Sequence, residues 1–319
     1  MLKRLLGDLI GGLVAQDGLT DVEANSDGVV WAAFLGRPKM RAGTIAPQDA
    51  EKLIYAVAKA AGEQVGKDAP SLSAELQADG EAGAVLLRFQ GFLPPVTRRP
   101  GFVIRKPPSR IFKLEEYVAQ GVITGRQRER LVQAVASHEN IIIVGGTGTG
   151  KTTLMNGLLA SVAAVTPADR VVCIERTREL QCPVENAEYI RIGVGYTAQK
   201  GLEDTLRTNP DRIMVGEVRG AEAADMLMAW NTGHDGGFCT AHAKTSSPTP
   251  KAALLRLEQA ASLSNPMADY RPQIGETVDL IVCIQKSAAV PAGRVVSHIA
   301  AVNGWTGADY DIRMEGTHT

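Results

Sequence analysis

From Leu114 onward, short runs of apolar residues alternate with longer stretches of good helix formers. Ile141 to Val144 is continuous and mostly β-branched, the pattern of a strand buried on both faces. Val171 to Ile174, Arg212 to Val215 and Phe238 to Ala241 predict further short strands. Leu114 to Gln120, Arg126 to Ser137 and Thr153 to Val165 predict helices. This rhythm implies a parallel sheet covered by helices on both faces. Val278 to Gln285 and Val295 to Val302 are separated by little more than a turn, so they predict an antiparallel addition at the sheet edge.

The first hundred residues have another rhythm. Val29 to Leu35 is a strand-like run after the turn signal Asp27-Gly28. Ala50 to Ala61 predicts a helix, and Ala84 to Phe89 another strand. At the N-terminus, Leu2, Leu5, Leu6, Leu9 and Leu13 fall on one helical face. Lys3 and Arg4 before an apolar stretch resemble a signal peptide only superficially, since Asp8 interrupts the stretch and no clean cleavage site follows. The expectation is a first helix that packs on its own domain, the alternative a surface helix touching a membrane or partner.

Prolines cluster between these regions, at Pro94, Pro95, Pro100, Pro107 and Pro108, among Arg98, Arg99, Arg105, Lys106 and Arg110. Proline stiffens extended chain and disfavours helix at the residue before it. The expected organisation is an α+β domain over 1–100, a basic linker over 101–113 and an α/β domain over 114–319. The 319 residues suit two domains at roughly 100–200 residues each.

Composition narrows the function. Lys plus Arg total 34 and Asp plus Glu 35, a net charge of −1, so bulk positive charge does not support nucleic-acid binding as the main role. No apolar run approaches the ~20 residues of a transmembrane helix. Cys173, Cys182, Cys239 and Cys283 lack zinc-ligand spacing and are expected to be small thiols in a reducing compartment.

One motif carries the chemistry. Gly145-Gly146-Thr147-Gly148-Thr149-Gly150-Lys151-Thr152 fits G-x-x-x-x-G-K-[ST] between a predicted strand and a helix. Such a loop turns backbone N–H groups toward a phosphate, and the helix start adds partial positive charge. The expected binding segment runs through Gly146, Thr147, Gly148, Thr149, Gly150, Lys151, Thr152 and Thr153. Lys151 would neutralise β/γ-phosphates and Thr152 would offer a hydroxyl to Mg²⁺. Hydrolysis also needs carboxylates near the metal and the attacking water. Glu175 closes one predicted strand, with Glu179 four residues on, and Glu217 follows another. The segment Thr232 to Ala243 adds His234 and His242, either of which could hydrogen-bond a terminal phosphate.

In this order, GGTGTGKT (145–152), IERTREL (174–180), NPDRIMVGEVRG (209–220) and TGHDGGFCTAHA (232–243) resemble the Walker A, acidic box, atypical Walker B and His box of the type II/IV secretion ATPases. The resemblance spans most of 100–290. It is closest to the traffic ATPases of type IV secretion and conjugation, of the TrbB type, by FVIRKPPSRIFKLEEYVAQGVIT (102–124) and ANSDG (24–28). It implies a RecA-like P-loop NTPase domain joined to the smaller N-terminal domain, with ATP between them, in a homohexameric ring. It further implies that Glu217 supports Mg²⁺ and water, Glu179 or Glu175 acts as base, and His234 and His242 sense the γ-phosphate. Arg219 follows the Walker B position, and Arg105 comes toward phosphate from the N-terminal side. The family has Asp after the first acidic-box Glu where this chain has Arg176, which favours Glu179 over Glu175 as base.

The resulting expectation is a Mg²⁺-dependent ATPase in the cytoplasm, peripherally attached to the inner membrane, driving secretion or conjugation components there. The competing readings are a pilus assembly or retraction motor, a DNA-directed RecA-like translocase, and a nucleotide-gated ring with negligible turnover.

Overall fold

The computed structural model describes residues 2–34, 37–80, 83–107, 110–193, 195–243 and 247–317, without the side chains of 2–5, 78–80 and 83–85. Leu35 and Pro108, named above, lie outside the described residues. The chain divides into two compact units, Met1–Arg110 and Ile111–Thr319.

The first unit contains α1 (Leu2–Val14), β1 (Leu19–Ala24), β2 (Val29–Phe34), β3 (Met40–Thr44), α2 (Pro47–Ala61), β4 (Ser71–Gly80), β5 (Gly83–Phe92) and β6 (Gly101–Arg105). The strands form an antiparallel sheet in the order β3-β2-β1-β6-β5-β4. The β1–β2 turn falls on Asp27-Gly28, where Gly28 takes φ 86° and the Asp27 carboxylate accepts from Val29 N. Leu6, Ile10, Leu13 and Val14 of α1 are buried with Ile54 and Val57 of α2, so the first helix does pack on its own domain, while Leu9 is exposed.

Residues 101–105, expected in the linker, form a central strand instead. Phe102 and Ile104 alternate into the core, and the Phe102 ring stacks on Phe89 at 5.4 Å. The prolines before Gly101 punctuate a loop between β5 and β6, and the period-two signal after them outweighs their linker character. Two basic residues of this stretch are internal staples. Arg105 Nε donates to Asp21, and Lys106 Nζ to the carbonyls of Val14 and Gln16 near the end of α1.

The second unit contains α3 (Leu114–Ala119), α4 (Gly125–Ala136), β7 (Ile141–Gly145), α5 (Lys151–Val165), β8 (Val171–Glu175), β9 (Ala187–Arg191), α6 (Ala198–Thr205), β10 (Arg212–Val218), α7 (Glu222–Trp230), β11 (Phe238–His242), α8 (Pro250–Ala261), α9 (Arg271–Thr277), β12 (Leu280–Lys286), β13 (Arg294–Trp305) and β14 (Tyr310–Thr317). The sheet order is β14-β13-β12-β7-β11-β10-β8-β9. Alternate residues bury into opposite cores. Ile142, Val144, Val172, Ile174, Ile213 and Val215 pack with α6 to α9, while Ile141, Ile143, Val171, Cys173 and Met214 pack with α3 to α5. Burial on both faces is why these strands read as unbroken apolar runs.

β12 corrects the expected antiparallel edge. It pairs in parallel with β7, and only β13 and β14 run antiparallel. α8 and α9 supply the crossover that brings β12 back parallel, a connection the local β12–β13 hairpin pattern does not reveal. At the amino end of the sheet, Arg212 is fully buried. Its Nε donates to Asp169 at 2.5 Å, and its other nitrogens donate to the carbonyls of Gly236 and Val135.

Candidate functional site

The phosphate loop leaves the carboxyl end of β7, the sheet edge where ligands of open α/β folds gather. Two of its glycines, Gly145 and Gly150, are required by their surroundings and backbone conformation. A Cβ on Gly145 would lie 2.3 Å from the Ile284 carbonyl, and Gly150 adopts φ 93° as the N-cap of α5. Thr149 Oγ1 donates to Gly146 O at 2.9 Å and braces the turn. Lys151 is buried and folds over the loop, donating to the carbonyls of Gly145 and Gly146 at 3.1 Å each. Burial lowers the Lys151 pKa, and the nearby carboxylates of Glu217 and Glu179 oppose that shift.

Glu217 lies within electrostatic range of this ammonium, at the point where β10 bulges. Val215 aligns with Cys239 and Val218 with Ala241, so one extra residue is inserted at Gly216-Glu217. Thr240 Oγ1 holds the bulge by donating to Gly216 O at 2.7 Å. Bulges of this kind re-aim a side chain beside a functional site. His242 sits opposite Gly145 across β11 and β7. Its Nδ1 lies 3.4 Å from Lys151 Nζ and its Nε2 2.7 Å from Glu217 Oε1. Burial and the Lys151 charge lower the His242 pKa against the pull of Glu217, which favours the neutral imidazole. Arg219, mostly exposed, donates to the other Glu217 oxygen at 2.5 Å.

Glu217 Oε1 is buried, and apart from His242 Nε2 at 2.7 Å no donor among the described residues approaches it to hydrogen-bond. Thr152 stands one residue past Lys151 at the start of α5. One such carboxylate oxygen and one hydroxyl at an anion site suit a hard octahedral cation that takes its other ligands from water and phosphate. Among the described residues no group of three or more His, Cys, Asp or Glu could hold a metal alone.

Glu175 is brought to the site but is already occupied. It is buried at the end of β8, and its Oε2 accepts from the backbone of Glu179 at 2.8 Å and Leu180 at 2.9 Å. A carboxylate so engaged shapes the turn that carries Glu179, and Gly216 makes room for it. His234 corrects a second expectation. It precedes β11, and its Nδ1 lies 3.0 Å from Pro210 O ahead of β10, at the sheet edge opposite the phosphate loop. A histidine in a Gly-rich turn can belong to either end of a strand, and the topology puts only His242 at the carboxyl end. Arg105 belongs to the first unit, where it pairs with Asp21.

Sequence reasoning missed Asn156 and Arg294. Asn156 is buried on α5, its Nδ2 donating to Glu179 O and its Oδ1 accepting from Gln181 N, both at 3.0 Å. It ties the acidic segment to the phosphate-loop helix. A lone amide in the apolar run Leu154 to Leu159 was the available signal. Arg294 begins β13 and lies against Gly150, a placement visible only in the fold.

The family model described as type II/IV secretion system protein matches residues 73–292. A probable conjugal transfer protein TrbB of Sinorhizobium fredii is 38% identical over 316 residues, covering 98% of this chain and 92% of that protein. Among solved structures, the Legionella pneumophila ATPase DotB aligns with TM-score 0.65 at 20% identity, over 92% of this chain and 78% of that one. The pilus retraction motor PilT with bound ADP aligns with TM-score 0.60 at 18% identity, over 94% and 80%. At these identities the two structures speak to fold alone. They share the architecture of a smaller N-terminal domain and a RecA-like ATPase domain.

Proposed function

The chain belongs to the type II/IV secretion system protein family, and from that premise we propose that it hydrolyses ATP to drive a type IV secretion or conjugation machine. One observation carries the reading. A phosphate loop with a buried lysine faces a carboxylate and a histidine brought in on neighbouring strands. The likeness in sequence to a conjugal transfer protein supports conjugation over pilus retraction.

In this reading, Lys151 exchanges its loop carbonyls for β- and γ-phosphate oxygens. The loop N–H groups from Gly146 to Thr153 and the start of α5 hold the remaining charge. Thr152 and Glu217 would hold Mg²⁺, which neutralises charge on the phosphates. Glu179 accepts a proton from the water that attacks the γ-phosphorus, as the bond to the bridging oxygen of ADP breaks. Asn156 and Glu175 position Glu179, and neutral His242 hydrogen-bonds the terminal phosphate. Arg219 steadies Glu217. Copies assemble head to tail in a homohexamer whose interfaces are heterologous. The ring acts in the cytoplasm, bound peripherally to inner-membrane components; among the described residues no helix is long and apolar enough to cross a membrane.

Lys151→Ala tests this. It should abolish ATP turnover and weaken ATP binding measured by calorimetry. Wild-type turnover by this variant, or no affinity of the wild-type protein for ATP with magnesium, overturns the proposal.

A further inference from the structure

Arg294 is partly buried, and it differs from Arg212 and Arg130 in its pairing. Arg212 pairs with Asp169, and Arg130 with Glu139 and Glu315. Among the described residues Arg294 pairs with no carboxylate, and Nε donates only to Ala292 O at 3.3 Å. Burial acts against its charge, and Tyr117 opposes that shift. Tyr117 is itself buried, which pushes its pKa up and keeps it neutral. A half-buried cation without a counter-ion implies an anion that arrives from outside.

Its position says which anion. A Cβ on Gly150 would lie 2.4 Å from Arg294 Nη1, so the guanidinium rests on the last glycine of the phosphate loop. β7 has β12 and then β13 on one side, and β11 and β10 on the other. Glu217 and His242 come from the β11 and β10 side. Arg294 comes from the β13 side, away from the groups that face the γ-phosphate.

We propose that Arg294 binds the nucleotide at its α-phosphate, as a cation delivered by the β12–β13 hairpin to the nucleoside end of the loop. This rests on the ATPase reading above. A contact to the α-phosphate is the same in ATP, ADP and the transition state, so it sets affinity and leaves the chemical step alone.

The test compares Arg294→Gln and Arg294→Lys with wild type in ATP and ADP affinity, steady-state turnover and thermal melting. Arg294→Gln should weaken ATP and ADP by the same factor, about 10–100-fold, as expected for losing a charged hydrogen bond. KM should rise with kcat nearly constant, and Arg294→Lys should recover part of the loss. Unchanged affinity in a variant that melts like wild type overturns the proposal. So does a loss confined to ATP with a fall in kcat, which would place the group at the γ-phosphate. If wild type binds neither ATP nor ADP, the ATPase reading itself has failed.

Discussion

Asn156 offers the sharpest test of how the acidic segment is held. Asn156→Leu is similar in shape and a better helix former, but it removes both ends of the amide. It deletes two hydrogen bonds of 3.0 Å and leaves Glu179 O and Gln181 N without these partners. At about 1 kcal/mol per bond, with a further penalty for partly buried groups left unpaired, the local cost is about 2–4 kcal/mol. The residues between β8 and β9 have no regular secondary structure to absorb it, so the segment opens locally. Glu175 still accepts from Glu179 N and Leu180 N, so the displacement is partial. Misplacing a catalytic group by about 1 Å costs on the order of 100-fold in rate. Steady-state kinetics should show kcat lower by about 10–100-fold, with KM and ADP affinity near wild type because the phosphate loop is untouched. Hydrogen exchange should speed up at 179–181. Wild-type kcat would refute the positioning role, and so would a parallel loss of ADP binding.

Glu217→Gln should bind ATP with magnesium and turn it over at least about 100-fold more slowly; a filter-binding and phosphate-release pair checks this, and full turnover sinks the assignment. His234→Ala should leave turnover unchanged, whereas His242→Ala should lower it; equal losses would contradict the strand-end argument. Asp169→Asn strands the buried Arg212 guanidinium, a loss of about 3 kcal/mol. That corresponds to about 6–12 °C in the melting of the second unit at 2–4 °C per kcal/mol. The same pair fixes a pH dependence. Burial raises the Asp169 pKa, but hydrogen bonds from Arg212 and Thr166 outweigh it and hold the carboxyl below the ordinary range. Its stabilising contribution is therefore complete above the unfolded carboxylate pKa and is lost as pH falls through the lower folded value. Acid titration of Asp169→Asn should lack that component, and an identical acid transition in both proteins refutes it.

Local residue chemistry already contained much of this protein. The apolar run Ile141–Val144 specified a buried strand because only a two-sided sheet hides four consecutive large apolar residues. The glycines and Lys151-Thr152 specified a phosphate loop, because backbone conformation and charge there are decided within eight residues. The helices at α2, α3, α4 and α5 followed from runs of good helix formers. What needed tertiary structure was every relation between distant segments. Gly101–Arg105 became a strand because β1 and β5 flank it, and β12 became parallel because a crossover carries it back beside β7. Glu217 faces the loop through a bulge measured against β11, and His234 and His242 separate to opposite ends of one strand. Asn156 and Arg294 acquire meaning only from neighbours far along the chain. Hydrogen bonds and ion pairs depend on distance in space, and sequence spacing encodes that distance only within a turn, a helix or a strand.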